Sequence, residues 1–416
     1  MTASDATSPD ALSREESLRL AFEASEVFTP AVPIDQTDLF AGRTRQVAQI
    51  IDAVGQRGQH VVMYGERGVG KTSLAKTLSA LLRNFGKSVA APLVTCDGTD
   101  TFSSLWRKMF AELYTSKEVQ GAGFATPPVK LNIALAEQLP DAATPDDIRR
   151  ILAPLGYGLS IVLIFDEFDR LSDSSLKRLM AETIKVLSDH AVRVTIVLVG
   201  VADNIDELLG EHESVGRNIV QIQMPRMQPS ELEQILRKGE QRLGVSFTGD
   251  TVATITSLSQ GFPSYTHLLG LHSVKEAATD GTRIIESAHA ERAIAKAVEL
   301  ADHSIRDAYR KGINSPRKYN LYADVILACA LAERDEFGFF QAATIRDPFR
   351  KITGKPYEIA SFIQHLANLT EKSRGPVLRR SGEKRRYKFR FDNPLMEPFV
   401  RMRSRAPKSP ISRRGS

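Results

Sequence analysis

The stretch Gly65-Glu66-Arg67-Gly68-Val69-Gly70-Lys71-Thr72 fits the pattern G-x-x-x-x-G-K-[ST] of a phosphate-binding loop. The apolar run His60–Tyr64 precedes it and predicts a β-strand, and a helical pattern begins near Thr72. Glycines let the backbone curl so that successive amide N–H groups converge on phosphate oxygens, and the helix start adds its positive dipole end. The sequence therefore predicts a nucleotide-binding loop between a strand and a helix.

The side chains of this loop have different expected roles. Lys71 is expected to reach the β- and γ-phosphates, and the Thr72 hydroxyl is expected to bind Mg²⁺. The full set of residues expected to contact the nucleotide is Gly65, Glu66, Arg67, Gly68, Val69, Gly70, Lys71, Thr72 and Ser73.

A second motif supplies the carboxylates that phosphoryl transfer needs. The apolar run 161–165 predicts a buried strand, and Asp166 and Glu167 follow it directly. Phosphoryl transfer depends on metal positioning and on an oriented water, so we expect Asp166 to hold the Mg²⁺ shell and Glu167 to polarise the attacking water. The neighbouring Asp169 and Arg170 are expected to be solvated or structural.

Strand and helix patterns alternate through the first half of the chain. Further strands are predicted within 88–96, 192–199 and 219–224, with amphipathic helical patterns between them. This alternation predicts an α/β fold in which a parallel sheet has helices on both faces, and the phosphate loop makes it similar to the parallel sheet of a P-loop NTPase. After Pro225 the strand patterns stop, and a small segment of helical patterns extends to Ala301.

Composition limits the class of protein. The chain has 416 residues, 42% apolar and 25% charged, which is typical of two or three globular domains and not of a disordered protein. No stretch approaches the roughly 18 apolar residues of a membrane helix, and the acidic N-terminal region lacks a signal-peptide core. Cys96 and Cys329 lie too far apart in sequence for a disulfide framework. We therefore expect a cytoplasmic protein.

The C-terminal region carries the excess of positive charge. Residues 371–416 contain 15 Lys or Arg and 4 Asp or Glu, a net charge of +11, whereas the other 370 residues, with 40 basic and 46 acidic groups, have −6. Helical patterns at 323–333, 341–352 and 357–370 precede a segment, 377–391, in which apolar and basic residues alternate around a turn. Three helices followed by a basic hairpin predict a winged helix.

This charge distribution predicts a polyanion partner, most often nucleic acid. We expect phosphate contacts from basic hairpin residues and contacts with adenine edges from two amides of the third helix. The hairpin residues are Arg379, Arg380, Lys384, Arg385 and Arg386, and the helix residues are Gln364 and Asn368. Because the third helix has no lysine or arginine, the expected DNA binding is weakly sequence-specific. The alternative is a winged helix that docks a protein or packs subunits.

The two nucleotide motifs resemble the Walker A and Walker B motifs of AAA+ ATPases, in the branch similar to origin-recognition ATPases and their bacterial relatives. Leu39-Phe40-Ala41-Gly42-Arg43 is similar to the F-x-G-R box of that branch, which packs near the adenine. The resemblance covers residues 38–403 and implies ATP with Mg²⁺, a helical lid and a winged helix. The implied organisation is an AAA+ domain 31–226, a lid 227–310 and a winged helix 318–403, and composition predicts a disordered polar segment 1–30 and a disordered basic tail 404–416.

The resemblance also implies residues that act on the attacking water and on the γ-phosphate. A polar residue after the fourth strand orients the water in this family, and here Asp203 or Asn204 occupies that place. Arg217 is the candidate for an arginine finger supplied by a neighbouring subunit, which implies a homo-oligomer. The arginine that often follows Gly-x-Pro in the lid is replaced by Ser264, with His267 as a weak substitute. Hydrolysis is therefore expected to be slow or stimulated by a partner.

The resulting hypothesis is an AAA+ switch that hydrolyses ATP to ADP and phosphate and binds or acts on DNA through its winged helix. The alternative is a regulatory or signalling ATPase, of a defence or transposition type, whose partner is another protein. A metabolic kinase is disfavoured because no substrate-phosphorylation constellation accompanies the two motifs.

Overall fold

The computed structural model describes residues 12–31, 41–84, 89–119, 129–157, 160–210, 213–316, 320–335, 338–382 and 386–406. Two compact units account for the chain. The sheet unit comprises Pro33–Glu66 and Gly70–Met224, and the helical unit comprises Met1–Val32, Arg67–Val69 and Pro225–Ser416. No helix of the described residues is long and apolar enough to cross a membrane.

The α-helices of the described residues are α1 (Arg14–Val27), α2 (Thr44–Gly55), α3 (Lys71–Asn84), α4 (Phe102–Ala111), α5 (Pro145–Leu152), α6 (Ser174–Asp189), α7 (Asp206–Leu209), α8 (Pro229–Leu243), α9 (Gly249–Ser259), α10 (Pro263–Thr279), α11 (Ser287–Leu300), α12 (His303–Ile313), α13 (Tyr322–Leu331), α14 (Ala342–Thr353), α15 (Ile359–Asn368) and α16 (Met396–Arg405). The strands are β1 (His60–Gly65), β2 (Val89–Ala90), β3 (Leu93–Thr95), β4 (Tyr114–Val119), β5 (Val129–Ala134), β6 (Ser160–Asp166), β7 (Val194–Val201), β8 (Ile219–Gln223), β9 (Ser246–Phe247), β10 (Ile284–Ile285), β11 (Phe340–Gln341), β12 (Leu378–Ser381) and β13 (Lys388–Phe391).

The sheet unit is built on a parallel sheet with the strand order β2-β6-β7-β1-β8, and β3 also pairs with β6. The residues of β6 and β7 are buried almost without interruption, as expected for a parallel sheet covered on both faces. The predicted α/β fold with a P-loop NTPase sheet is confirmed. Because β7 lies between β1 and β6, its carboxyl end lies between the phosphate loop and the acidic pair.

The sheet unit also contains a hairpin that the sequence patterns did not indicate. Strands β4 and β5 pair antiparallel, from Tyr114 opposite Ala134 to Val119 opposite Val129. They follow α4, whose Trp106 and Phe110 are buried in the main core. The strands pair with each other and take no place in the parallel sheet, so the order of the motif-bearing strands is unaffected.

The N-terminal region differs from the expectation of disorder over residues 1–30, because Arg14–Val27 forms α1. The Ser13 hydroxyl accepts the Glu16 amide hydrogen, and the Glu16 carboxylate accepts the Ser13 amide hydrogen, which caps the start of the helix. The helix packs on α10 and α8. Polar residues are frequent in α1, and its buried face is narrow, formed by Leu20, Ala24 and Val27. The sequence pattern therefore did not predict the helix.

The helical unit continues with α8 to α11 and with a short parallel pair, β9 and β10. After α12, the elements α13, β11, α14, α15, β12 and β13 follow in that order, and the three strands form an antiparallel sheet in the order β11-β13-β12. Three helices and a basic hairpin are the elements from which the sequence predicts a winged helix, and that domain assignment stays a prediction. Helix α16 extends to Arg405, so the first residues of the expected tail are helical, and residues 407–416 lie outside the described part.

Candidate active site

The phosphate loop connects β1, which ends at Gly65, to α3, which begins at Lys71. Gly65, Gly68 and Gly70 have φ angles of 153°, 89° and 94°, in the region that side chains rarely adopt. A Cβ atom at Gly65 would lie 2.5 Å from the Met224 carbonyl oxygen, so the residue after β8 leaves no space there. The loop therefore has the backbone that the sequence motif predicts, and position 65 requires glycine.

Lys71 is the first residue of α3, and only 7% of it is exposed. Its ammonium group donates hydrogen bonds to the carbonyl oxygens of Gly65 at 2.9 Å and Glu66 at 2.8 Å. The cation is thus held within the curve of the loop. A fixed positive charge beside the N-terminus of a helix is a suitable environment for a phosphate group.

Asp166, the last residue of β6, is 2% exposed, and the Thr72 hydroxyl lies close enough to favour its ionised form. Burial raises the pKa of Asp166, while the nearby Thr72 hydroxyl and the hydrogen bond from the Glu167 amide oppose that shift. The structure therefore brings together the two side chains that the sequence predicts as Mg²⁺ ligands. A buried carboxylate beside a hydroxyl fits a hard divalent cation, whose charge would favour the ionised form of Asp166.

Glu167 follows Asp166 with a left-handed backbone, φ 57° and ψ 36°. Its amide donates to the Asp166 carboxylate at 2.9 Å, and its own carboxylate forms an ion pair with Arg170, 3.1 Å from Nε. About a third of the Glu167 side chain is exposed, at 34%. The arrangement places this carboxylate directly after the buried acid, on the accessible side of the turn.

The two candidates for a water-orienting residue follow β7. Its last residue, Val201, is paired with Gly65 at the start of the phosphate loop. Asp203 is half-buried and Asn204 is exposed. The Asn204 side-chain oxygen accepts the Glu207 amide hydrogen at 3.1 Å, which helps to begin α7. Both residues follow the strand end that is in register with Gly65, and the sequence ambiguity between them persists.

Arg217 lies just before β8, and its side chain is 78% exposed. The Asp189 carboxylate lies 3.9 Å from its guanidinium group. Ile219 is paired with His60, five residues before Gly65, which corresponds to about 17 Å along the strand. Arg217 therefore lies near the amino edge of the sheet, far from the phosphate loop of its own chain.

Two further sequence predictions concern the adenine and the lid. Arg43 of the F-x-G-R box is 3% exposed and has a φ of 61°, whereas Leu39 and Phe40 lie outside the described residues. His267, the weak substitute for the lid arginine, is 4% exposed and packs edge-on against Phe28. His267 is therefore part of the core of the helical unit and does not replace the missing arginine.

The expected DNA-contacting residues are only partly available. Among the hairpin arginines, Arg379 pairs with Asp392 at 3.3 Å, Arg380 lies over the Tyr387 ring, and Arg386 is exposed. Lys384 and Arg385 lie outside the described residues.

The two amides of the third helix are engaged with other side chains. Gln364 Nε2 donates to Asn368 Oδ1 at 2.8 Å, and Asn368 Nδ2 donates to the Tyr322 hydroxyl at 2.8 Å. Adenine recognition uses both the oxygen and the nitrogen of such an amide, and in Asn368 both are occupied.

Sequence reasoning assigned no specific contact to Asp169, whose carboxylate accepts the Val201 amide hydrogen at 2.7 Å. The contact joins the turn after β6 to the end of β7. No local pattern could have revealed it, because the two residues meet only when β6 and β7 are neighbours in the sheet.

The family model described as "nSTAND1: Novel STAND NTPase 1" matches residues 31–270. A search of curated proteins gives no match. Similar solved structures include the Cdc6p protein of Pyrobaculum aerophilum, with 15% identity, 92% of this chain and 99% of that chain covered, and a TM-score of 0.43. The Aeropyrum pernix Orc1 protein in complex with DNA has 14% identity, coverage of 91% and 95%, and a TM-score of 0.46.

The Thermotoga maritima RuvB Holliday junction branch migration motor has 15% identity, coverage of 82% and 90%, and a TM-score of 0.42. The family match covers the phosphate loop, the acidic pair and the first helices after β8.

Proposed function

Because the chain belongs to the novel STAND NTPase 1 family, we propose that it binds ATP with Mg²⁺ and hydrolyses it to ADP and phosphate. Membership in an NTPase family agrees with the AAA+ ATPase resemblance of the two motifs. The observation that carries the proposal is the proximity of the Thr72 hydroxyl to the buried Asp166 carboxylate, beside the glycine-rich loop. This pair supplies two oxygen ligands where a nucleotide-bound cation is needed.

The residues of the sheet unit have distinct roles in the proposed reaction. The loop amides and Lys71 bind the phosphates, and Thr72 with Asp166 holds Mg²⁺, which neutralises charge on the phosphate oxygens when bound. Glu167 orients the attacking water and accepts its proton. Asp203 or Asn204 helps to place that water.

Two substitutions test the hydrolysis proposal. Lys71→Ala should weaken ATP binding at least about tenfold because the fixed cation in the loop is lost. Glu167→Gln should keep ATP affinity and lower kcat about 100-fold or more, since the amide cannot accept the proton from water.

ATP affinity by calorimetry and phosphate release by a coupled assay measure the two effects. Lys185→Ala is the matched control, because Lys185 is exposed on α6. Unchanged turnover in Glu167→Gln would remove Glu167 from this role, and absence of ATP binding by the unsubstituted protein would overturn the proposal.

We further propose that the winged helix binds DNA through the phosphate backbone, with little base recognition. Support comes from the net charge of +11 over residues 371–416 and from the basic residues of β12 and of the sequence that follows it. The pairing of Asn368 with Tyr322 and Gln364 argues against adenine recognition by this amide.

Filter binding of duplex DNA at increasing salt tests the DNA proposal. Each of Arg380→Ala and Arg386→Ala should weaken binding and reduce the logarithmic salt slope by about 1, and the effect should not depend on DNA sequence. Arg178→Ala, an exposed arginine on α6, is the control.

A protein-docking winged helix is the second candidate. Ile363 on α15 is 39% exposed, so the third helix presents an apolar side chain beside polar ones. Absence of salt-sensitive DNA retention would discard DNA binding and leave this candidate, with the chain acting as a regulatory ATPase.

A further inference from the structure

The turn that carries Glu167 has a defined conformation. Glu167 adopts left-handed dihedral angles, and Phe168–Arg170 form one turn of 3-10 helix closed by the Arg170 amide donating to the Glu167 carbonyl at 3.0 Å. A non-glycine residue in this region costs about 1 kcal/mol or more, so surrounding contacts must hold it. Phe168 is fully buried in the core of the sheet unit and anchors the turn.

The same turn is bonded to the end of β7. Asp169 Oδ1 accepts the Val201 amide hydrogen at 2.7 Å. A carboxylate that accepts a backbone N–H makes a charge-assisted bond, which is stronger than a bond between neutral groups. Val201 is also paired with Gly65 in β1, so one residue is in register with the phosphate loop and bonded to the turn that carries Glu167.

The close approach of the two segments depends on a glycine. A Cβ atom at Gly200 would lie 3.2 Å from both the amide nitrogen and the Oδ1 atom of Asp169, and 2.7 Å from Leu208 Cδ2. A side chain at position 200 would therefore separate the turn from the strand. The hydrogen bond from Val201 to Asp169 and the lack of space for a Cβ atom at Gly200 are independent observations. Both indicate that the distance between the turn and the strand is fixed.

We propose that Asp169 is a positioning residue for ATP hydrolysis, which ties the turn bearing Glu167 to the strand end that leads to Asp203 and Asn204. The proposal rests on the proposed ATPase function. Water must be aligned by Glu167 on one side and by a polar residue after β7 on the other, and these groups come from different strands. Asp169 sets the spacing between the two strand ends without touching the substrate.

The test compares Asp169→Ala with Asp169→Asn. Alanine removes the acceptor, whereas asparagine keeps an oxygen that can accept the Val201 amide hydrogen. We expect Asp169→Ala to lower kcat about tenfold or more, because a small misplacement of reacting groups has large rate effects. The affinity for ATP should stay within about twofold, and Asp169→Asn should recover most of kcat.

Asp173→Ala is the matched structural control, because the Asp173 carboxylate also accepts a backbone amide, that of Ser175 at 2.8 Å, and begins α6. It should lower the melting temperature and leave kcat unchanged. Wild-type kcat in Asp169→Ala would overturn the inference alone. Parallel loss of kcat, ATP affinity and melting temperature, with no rescue by asparagine, would also overturn it. Absence of ATP binding and turnover in the unsubstituted protein would overturn the proposed function as well.

Discussion

His267 shows how a single residue can make the stability of the helical unit depend on pH. Neither of its ring nitrogens has a hydrogen-bond partner among the described residues, and the ring is 4% exposed. Burial lowers the pKa of His267 to about 4. The folded state therefore holds a neutral imidazole, whereas the unfolded chain takes up a proton below its usual pKa of about 6.5.

The sign of the resulting pH dependence follows from proton uptake. The unfolded state binds more protons between pH 6.5 and about 4, so the contribution of His267 to the free energy of unfolding is lost as the pH falls through that window. We expect a loss of about 2 kcal/mol at pH 5 relative to pH 7 from this residue.

Urea unfolding at pH 7 and pH 5, with the wild type and His267→Leu, measures this effect. Leucine removes no hydrogen bond of the described residues and should reduce the difference between the two pH values. An equal pH difference in both proteins would contradict the prediction.

At the scale of elements, α1 is attached to the helical unit through Phe28, the residue that follows it. Phe28 is fully buried and packs edge-on against Phe247 and His267. A Cβ atom at Gly239 would lie 2.2 Å from the Phe28 ring, and one at Gly270 would lie 2.9 Å from it. Two glycines, on α8 and α10, thus provide the space that the ring occupies.

Gly239→Ala should therefore destabilise the helical unit by about 1–3 kcal/mol through overpacking. Gly249→Ala is the control, because a Cβ atom there would have no atom within 4 Å. Thermal unfolding measures both variants. In a Phe28→Ala background, Gly239→Ala should cause little further loss in the free energy of unfolding, because the two substitutions act on the same contact. An equal loss in both backgrounds would show that contact with Phe28 is not its cause.

At the scale of the whole molecule, the position of Arg217 bears on assembly. The residue lies near the amino edge of the sheet, about 17 Å along β1 and β8 from its own phosphate loop, and its side chain is exposed. As an arginine finger it could act only on the nucleotide of a neighbouring subunit. Assembly would then be a condition for turnover, and ATP would contact two copies of the chain.

Mixing two inactive variants tests this arrangement. Arg217→Ala should reduce turnover by on the order of 10³-fold, as is typical for loss of an arginine finger. Mixing it with Glu167→Gln should restore part of the activity, because some interfaces then combine an intact Glu167 with an intact Arg217. Arg57→Ala is the control, an exposed arginine just before β1 at the same edge. Normal turnover by Arg217→Ala, or no recovery on mixing, would exclude a finger in trans.

The nucleotide motifs could be predicted from sequence because their chemistry is local. Gly65, Gly70 and Lys71 are close in the chain, and their backbone angles and the helix start follow from residue type and neighbours. The alternation of apolar strands and amphipathic helices likewise determines a covered parallel sheet, since burial on both faces requires continuous apolar strands. The disorder expected for 1–30 was wrong for α1, because its stability comes from packing on α8 and α10.

The sequence alone thus determined the phosphate loop, the acidic pair and the class of fold, because each depends on residues adjacent in the chain or on a repeating pattern. Only the tertiary structure decided that β7 lies between β1 and β6, that Thr72 meets Asp166 and that Asp169 meets Val201. These contacts join residues that end or follow different strands, and strand order is fixed by how helices and strands share one core. The same holds for Asn368 of α15, whose amide donates a hydrogen bond to the Tyr322 hydroxyl of α13.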